Sequence, residues 1–244
     1  MRPQFVPRFS PALTESQPPT PMRTTTDRAL IRSRFLAVDV ANVADVLDDL
    51  GHRDQALATD IRCVAGRERL AGWAFTISGA MSAAPGRDPL KAQACSQIGP
   101  DEVSVWQGNG RGVCYFGELV AIGMMQRGSV GAVVDGGVRD KRWLHEIGFT
   151  TFSCYPTSVQ TSGRWRVETW QQPVTMPGAS GQPVVIEPGD FVLGDDDGVI
   201  VIPAGIADVV LEAAETMTEK EIDVRAAIRN GMTLADAMAE FGRF

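Results

Sequence analysis

The amino-acid sequence predicts an α/β chain folded as one compact unit with flanking helices. Three observations lead there. Its 244 residues lie between one and two domains at roughly 150 residues per domain. Its 44% hydrophobic and 22% charged residues are an ordinary globular balance. Strand-like runs cluster in the middle of the chain, while helical patterning dominates both ends.

The segment from Met1 to about Thr26 carries six of the fifteen prolines and no apolar core of the kind a signal peptide needs. We read residues 1–26 as a Pro-rich extension, either a free tail or an arm that wraps a neighbouring subunit. The core is expected over residues 27–231, with a short C-terminal helix in 232–244. From Asp27 the pattern is helical. In the run Val38 to Gly51, Val43, Val46, Leu47 and Leu50 recur at helical spacing, and Gly51 is placed to end the helix.

Strands are expected at Leu70 to Ile77, Glu102 to Gln107, Val113 to Phe116, Val130 to Asp135, Phe149 to Ser153, Arg166 to Thr169 and Pro183 to Ile186. Phe191 to Leu193 and Val199 to Ile202 flank a Gly-Asp-Asp-Asp-Gly turn, so they read as a hairpin. An apolar stripe through Ile206, Val209, Val210, Ala213, Ala214 and Met217 marks a helix. Asn230 and Gly231 break the helical run that follows, and Thr233 can cap a last one with Asp236 in its first turn. With few helices visible between the strands, the pattern does not read as regular βαβ winding.

Lys and Arg total 23 against 30 Asp and Glu, a formal net charge of −7. Such a chain repels a polyphosphate backbone at long range, so nucleic acid is not expected as a partner. No membrane segment is apparent. The cysteines Cys63, Cys95, Cys114 and Cys154 form no C-x-x-C pair and have only His52 and His145 beside them, so a zinc cluster lacks support. They read as reduced thiols in a cytoplasmic protein. Both G-x-G-x-x-G and G-x-x-x-x-G-K-[ST] are absent, which removes the usual warrant for a nucleotide fold.

Chemistry concentrates between Gly117 and Asp140. Gly117 to Gly128 reads as a helix entered through glycine, whose first amides, from Gly117 to Val120, can hold a small anion such as a carboxylate. Ser129 to Asp135 reads as a buried strand, and Gly136 and Gly137 let the chain leave it sharply to present Arg139 and Asp140. Arginine's planar fork suits a carboxylate, and an aspartate suits a hard divalent cation that keeps most of its waters. On the residues alone, most helices entered through glycine bind nothing, and a pair of solvated loop charges is as admissible as a ligand pair at Arg139 and Asp140. Three other features read blandly: Gly108 to Gly112 as a connecting loop, Asp195 to Asp197 as turn acids, and His145 as a surface or packing residue of a helix from Lys141 to Glu146.

Four motifs occur together in one order: NVADVLDDLG from Asn42, Gly117-Glu118-Leu119, GAVVDGGVRD from Gly131, and PGDFVLGDDDGVIVIP from Pro188. Together they resemble the 4-hydroxy-4-methyl-2-oxoglutarate aldolase family, which also contains the RraA-like regulators of ribonuclease E. The resemblance covers about Val38 to Gly231.

It implies a swivelling β/β/α domain assembled as a homotrimer or homohexamer, with active sites near subunit interfaces. It implies Asp140 as the contact to a divalent metal, Mg²⁺ or Mn²⁺, and Arg139 as the group that binds the pyruvyl carboxylate. Gly117, Glu118, Leu119 and Val120 match the loop whose amides bind substrate. Glu118 falls where the family usually has an aspartate that poises proton transfer, and Glu221 matches a glutamate that reaches the neighbouring subunit's site. The expected activity is cleavage of a small 4-hydroxy-2-oxo acid to pyruvate, with oxaloacetate decarboxylation through the same enolate. A cation on the keto oxygen and carboxylate spreads that enolate's charge, so no Schiff-base lysine is needed. The alternative is a protein-binding regulator of ribonuclease E without catalysis. The acid at position 140 favours the enzyme, because that branch does not maintain it.

Overall fold

The computed structural model of the chain describes residues 25–109 and 112–242. Helices α1 (Thr25–Phe35) and α2 (Val40–Asp49) precede strands β1 (Arg62–Ala65) and β2 (Leu70–Met81). Next come α3 (Pro89–Gln97), β3 (Glu102–Gln107), β4 (Cys114–Phe116), α4 (Glu118–Met125), β5 (Gly131–Val138), α5 (Lys141–Glu146) and β6 (Thr150–Pro156). Strands β7 (Trp165–Trp170), β8 (Val174–Pro177), β9 (Pro183–Ile186), β10 (Phe191–Asp195) and β11 (Gly198–Ile202) lead to the closing helices α6 (Ala207–Arg229) and α7 (Leu234–Phe241). The expectation for the Pro-rich extension falls on residues 1–24, outside the described part, apart from Thr25 and Thr26, which begin α1.

The main sheet is mixed, ordered β1-β6-β5-β3-β2-β10-β11, with β4 paired to β5 and β7 to β2. Its centre is parallel: β2 with β3, β3 with β5, and β5 with β6. Helix α3 joins β2 to β3, α4 joins β4 to β5, and α5 joins β5 to β6. The centre is therefore a run of βα crossovers, which corrects the reading against βαβ winding. Helices α4 and α5 stand where the sequence placed helices, whereas α3, nine residues with only Ala94 buried, carries no apolar period and went unread.

Strand alternation divides the core between the two faces of the sheet. Trp106, Ala132 and Val134 face the crossover helices, where they pack with Phe116, Ala121, Met124 and Leu144. Val103, Val105 and Val133 face the opposite way, onto Val174, Met176 and Ile186 of the small β8-β9 sheet. This gives the β/β/α layering. Both faces are covered, which is why β5 opens on the apolar run Gly131 to Val134 before Asp135. A third cluster fastens α1, α2 and α6 to the β2-β10-β11 end, with Phe191 stacked on Phe35 at 4.2 Å and edge-on to Trp73 at 4.9 Å.

The hairpin is as expected: β10 and β11 pair from Phe191↔Ile202 to Asp195↔Gly198, leaving Asp196 and Asp197 as the turn. Thr233 caps α7, its hydroxyl accepting from the Asp236 amide at 3.1 Å. The glycine exit needs correction. Gly136 and Gly137 do not end the strand, because β5 continues to Val138 across a register irregularity. The Tyr115 ring and the Val113 carbonyl approach so closely there that a Cβ would sit 2.0 and 2.4 Å from them. These glycines serve close packing of β4 on β5, and the chain leaves the strand two residues later.

Phe191→Ala removes the ring shared by Phe35 and Trp73 and should cost about 3–5 kcal/mol of stability. Urea unfolding of the variant against wild type checks this.

Candidate functional site

Parallel pairing of β4 with β5 sets Phe116 beside Val138, and the Arg139 amide donates to the Phe116 carbonyl at 3.1 Å. The residues that follow each strand therefore emerge side by side. After β4 comes Gly117 at the N-terminus of α4; after β5 come Arg139 and Asp140 at the N-terminus of α5. Ligand sites of parallel sheets lie at the carboxyl ends of strands for this reason, since helix N-termini converge there with unpaired amides.

Asp140 has φ +60°, a left-handed conformation that aspartate tolerates better than most residues. It occupies the N-cap position of α5, yet its side chain caps nothing there. Its Oδ2 instead lies 3.4 Å from the Glu118 amide and 3.4 Å from Arg139 Nε. The Asp140 side chain is 35% exposed, and its Oδ1 accepts no hydrogen bond among the described residues. Gly117 is needed because of proximity, not conformation: its backbone is extended, and a Cβ would fall 2.8 Å from Asp140 Oδ2 and 3.2 Å from Arg139 Cγ.

These groups share one cleft of about 130 Å³, whose walls include Gly117, Leu119, Val120, Arg139 and Asp140. The structure thus brings together most of the residues singled out in the sequence. Glu118 contributes its amide, and its side chain is not among those that line the cleft. Glu221 is elsewhere: it pairs with Arg225 on α6 and lines a separate hollow with Asp39, Arg69 and the β10-β11 turn acids.

Seven wall residues were missed in the sequence, among them Gln160 to Ser162 after β6; two of the seven, Cys114 and Lys91, bear on the chemistry. Cys114 belongs to β4, and burial pushes its thiol up from the ordinary value, so it is not a ready thiolate nucleophile. Lys91 lies on α3, which Asp88 caps by accepting from the Lys91 amide at 3.1 Å, with Pro89 in the first turn. That Asp-Pro pair is a helix-start signal and would have placed Lys91. Among the described residues no group of three or more His, Cys, Asp or Glu side chains is arranged to hold a metal ion. A cation here would rest on Asp140 and water, a donor set that suits magnesium, which keeps several waters and needs only one or two carboxylates.

A family profile described as RraA-like, Aldolase/RraA, matches residues 40–201, two-thirds of the chain and the whole of this site. The chain belongs to the RraA-like family. The 4-hydroxy-4-methyl-2-oxoglutarate aldolase of Thermus thermophilus is 28% identical over 159 residues, covering 64% of this chain and 90% of that one. A Halalkalibacterium halodurans protein that carries the same aldolase name provisionally is 28% identical over 204 residues, covering 83% and 90%. Among solved structures, RraAS2 of Streptomyces coelicolor, described as an unusual member of the RNase ES inhibitor RraA family, superposes with a TM-score of 0.67 at 23% identity. The superposition covers 81% of this chain and 97% of that one, and it confirms the mixed α/β RraA-like fold. No helix among the described residues is long and apolar enough to cross a membrane.

The RraA-like site makes a paired prediction within one helix. Gly117→Ala forces a methyl against Asp140 and should cost about 1–3 kcal/mol. Gly123→Ala, in the same helix with open space at its Cβ, should gain about 0.5–1 kcal/mol. Urea unfolding of both variants checks the opposite signs.

Proposed function

We propose that the Gly117–Asp140 cleft is a lyase site that binds a short 2-keto acid and releases pyruvate from it. The observation that carries this reading is the meeting of an arginine fork, an aspartate with one uncommitted oxygen, and the first amides of α4 in a single small cleft. Sites for drug-sized ligands span several hundred Å³, so a cleft of about 130 Å³ suits a short acid. The aldolase names among the relatives support the same direction.

In this mechanism Arg139 binds the substrate carboxylate through paired hydrogen bonds and fixes its orientation. The α4 N-terminus presents amides and partial positive charge where negative charge develops on the pyruvyl fragment. Asp140 is the residue that would hold Mg²⁺ or Mn²⁺, which supplies Lewis acidity to the keto oxygen when bound. Breaking the bond between carbons 3 and 4 of a 4-hydroxy-2-oxo acid takes a proton from the 4-hydroxyl. The electron pair passes to carbon 3 and spreads onto the keto oxygen, and a proton returned to carbon 3 completes pyruvate. We assign this proton traffic to Glu118, next to Gly117, whose side chain lies outside the cleft lining and so would act by turning inward or through a water. Oxaloacetate decarboxylation leaves the same electron pair on the same carbon, so the site is expected to support it too.

Glu221 lines a different hollow from the cleft, so its proposed contribution is to a neighbour's site in a homotrimer or homohexamer. Leu119, 77% exposed beside the cleft, is suited to cover by such a neighbour.

Asp140→Ala should lower magnesium-dependent pyruvate release from 4-hydroxy-4-methyl-2-oxoglutarate and from oxaloacetate by at least about 100-fold, with the fold retained by circular dichroism. Coupled detection of pyruvate, with and without chelator, measures it. Full activity in the variant would contradict the assignment. No release by wild type from either compound would favour the protein-binding reading, for which capture by a ribonuclease E scaffold is the direct assay.

A further inference from the structure

Lys91 stands out as a cation placed where the rest of the fold gives it no counter-ion. Its Nζ donates to the Tyr115 carbonyl oxygen, and it sits 5.4 and 5.8 Å from the ring centroids of Trp106 and Trp165. No carboxylate lies within ion-pair distance of it among the described residues. The nearest acid on its own helix, Asp88, is committed to the amides of Lys91 and Val167. Burial pulls the ammonium below the ordinary lysine value, and Arg139, a like charge acting on the same space, adds to the effect. Lysine is rarely buried without a partner, because a desolvated ammonium is costly.

An ammonium has three N–H donors, and the Tyr115 carbonyl takes one. Lys91 and Arg139 line the same cleft, against which Asp140 sets a single negative charge. One bound carboxylate satisfies Arg139 and leaves Lys91 unmatched, whereas a dianion satisfies both. The aromatic rings and the Asp88 cap fix the amine, so little freedom is lost when an anion docks.

We propose that Lys91 is a specificity-determining residue that receives the distal carboxylate of a dicarboxylic 2-keto acid whose keto-acid end is held by Arg139. This rests on the reading of the cleft as a 2-keto acid site, and it adds a residue and a selection rule to it.

The test is calorimetric titration of the full chain, with magnesium, using 2-oxoglutarate and 2-oxopentanoate. The two share a five-carbon 2-keto acid frame and differ only in a terminal carboxylate or methyl. Wild type should bind 2-oxoglutarate about 10- to 100-fold more tightly, the worth of one charge-assisted hydrogen bond. Lys91→Met should bring the two within about threefold of each other while leaving 2-oxopentanoate binding within threefold of wild type. Lys91→Gln, which can still donate to the Tyr115 carbonyl, carries the same expectation should the methionine variant fail to fold. A wild type without preference, a variant that keeps it, or equal loss of both ligands would overturn the proposal. Pyruvate release by wild type from 4-hydroxy-4-methyl-2-oxoglutarate separates the two readings. Lys91-dependent preference without release defeats the lyase alone, and release without preference defeats the Lys91 assignment alone.

Discussion

The backbone hydrogen bond from the Arg139 amide to the Phe116 carbonyl, 3.1 Å long, belongs to a parallel pairing only three residues deep on the β4 side. On it depends the convergence of two strand ends that are more than twenty residues apart in sequence. Gly136 and Gly137 let β4 and the Tyr115 ring close onto β5, and Gly117 lets the next residues close onto Asp140. Three glycines, each with a Cβ that would collide with backbone or a ring or carboxylate, thus fix one small volume. The left-handed turn at Asp140, of the kind that stores about 1–3 kcal/mol, is held by that packing and by the Leu144 amide, which donates to the Asp140 carbonyl at 3.0 Å.

Charge follows from this frame. An aspartate at an N-cap ordinarily spends its carboxylate on its own helix. Here the backbone twist turns Asp140 away from α5 and toward the start of α4 and Arg139. One oxygen is used to register the two junctions and the other is uncommitted among the described residues. Arg139 and Lys91 surround the same space with positive charge, in a chain whose net charge is −7. The local field is therefore opposite to the global one, as expected where a small anion is drawn into a cleft.

Much of this was legible in the sequence, for identifiable reasons. Helix α2 carries a clean apolar stripe, β3 and β9 match their expected bounds, and the Asp-rich turn allowed only a tight hairpin. The gathering of Gly117, Arg139 and Asp140 followed from motifs read together, since each alone was ambiguous. What the sequence hid were the α3 crossover and the cleft wall that it supplies. Helix α3 buries only Ala94, so periodicity could not reveal it, and Lys91 went with it. The edge strand β1 and strand β8 also went unread. The glycine pair in β5 was misread because a bulge with a ring packed on it and a strand exit call for the same residue.

The central claim is that Asp140 and Arg139 form one ligand site around a hard cation at the mouth of the β4-β5 pairing. Titration of the protein with Mn²⁺, followed by the loss of the free ion's electron paramagnetic resonance signal, tests it most directly. The account predicts one ion bound per chain in wild type and binding weakened at least about tenfold in Asp140→Asn, which keeps the side chain's shape and removes its charge. Undiminished Mn²⁺ binding by Asp140→Asn would contradict it.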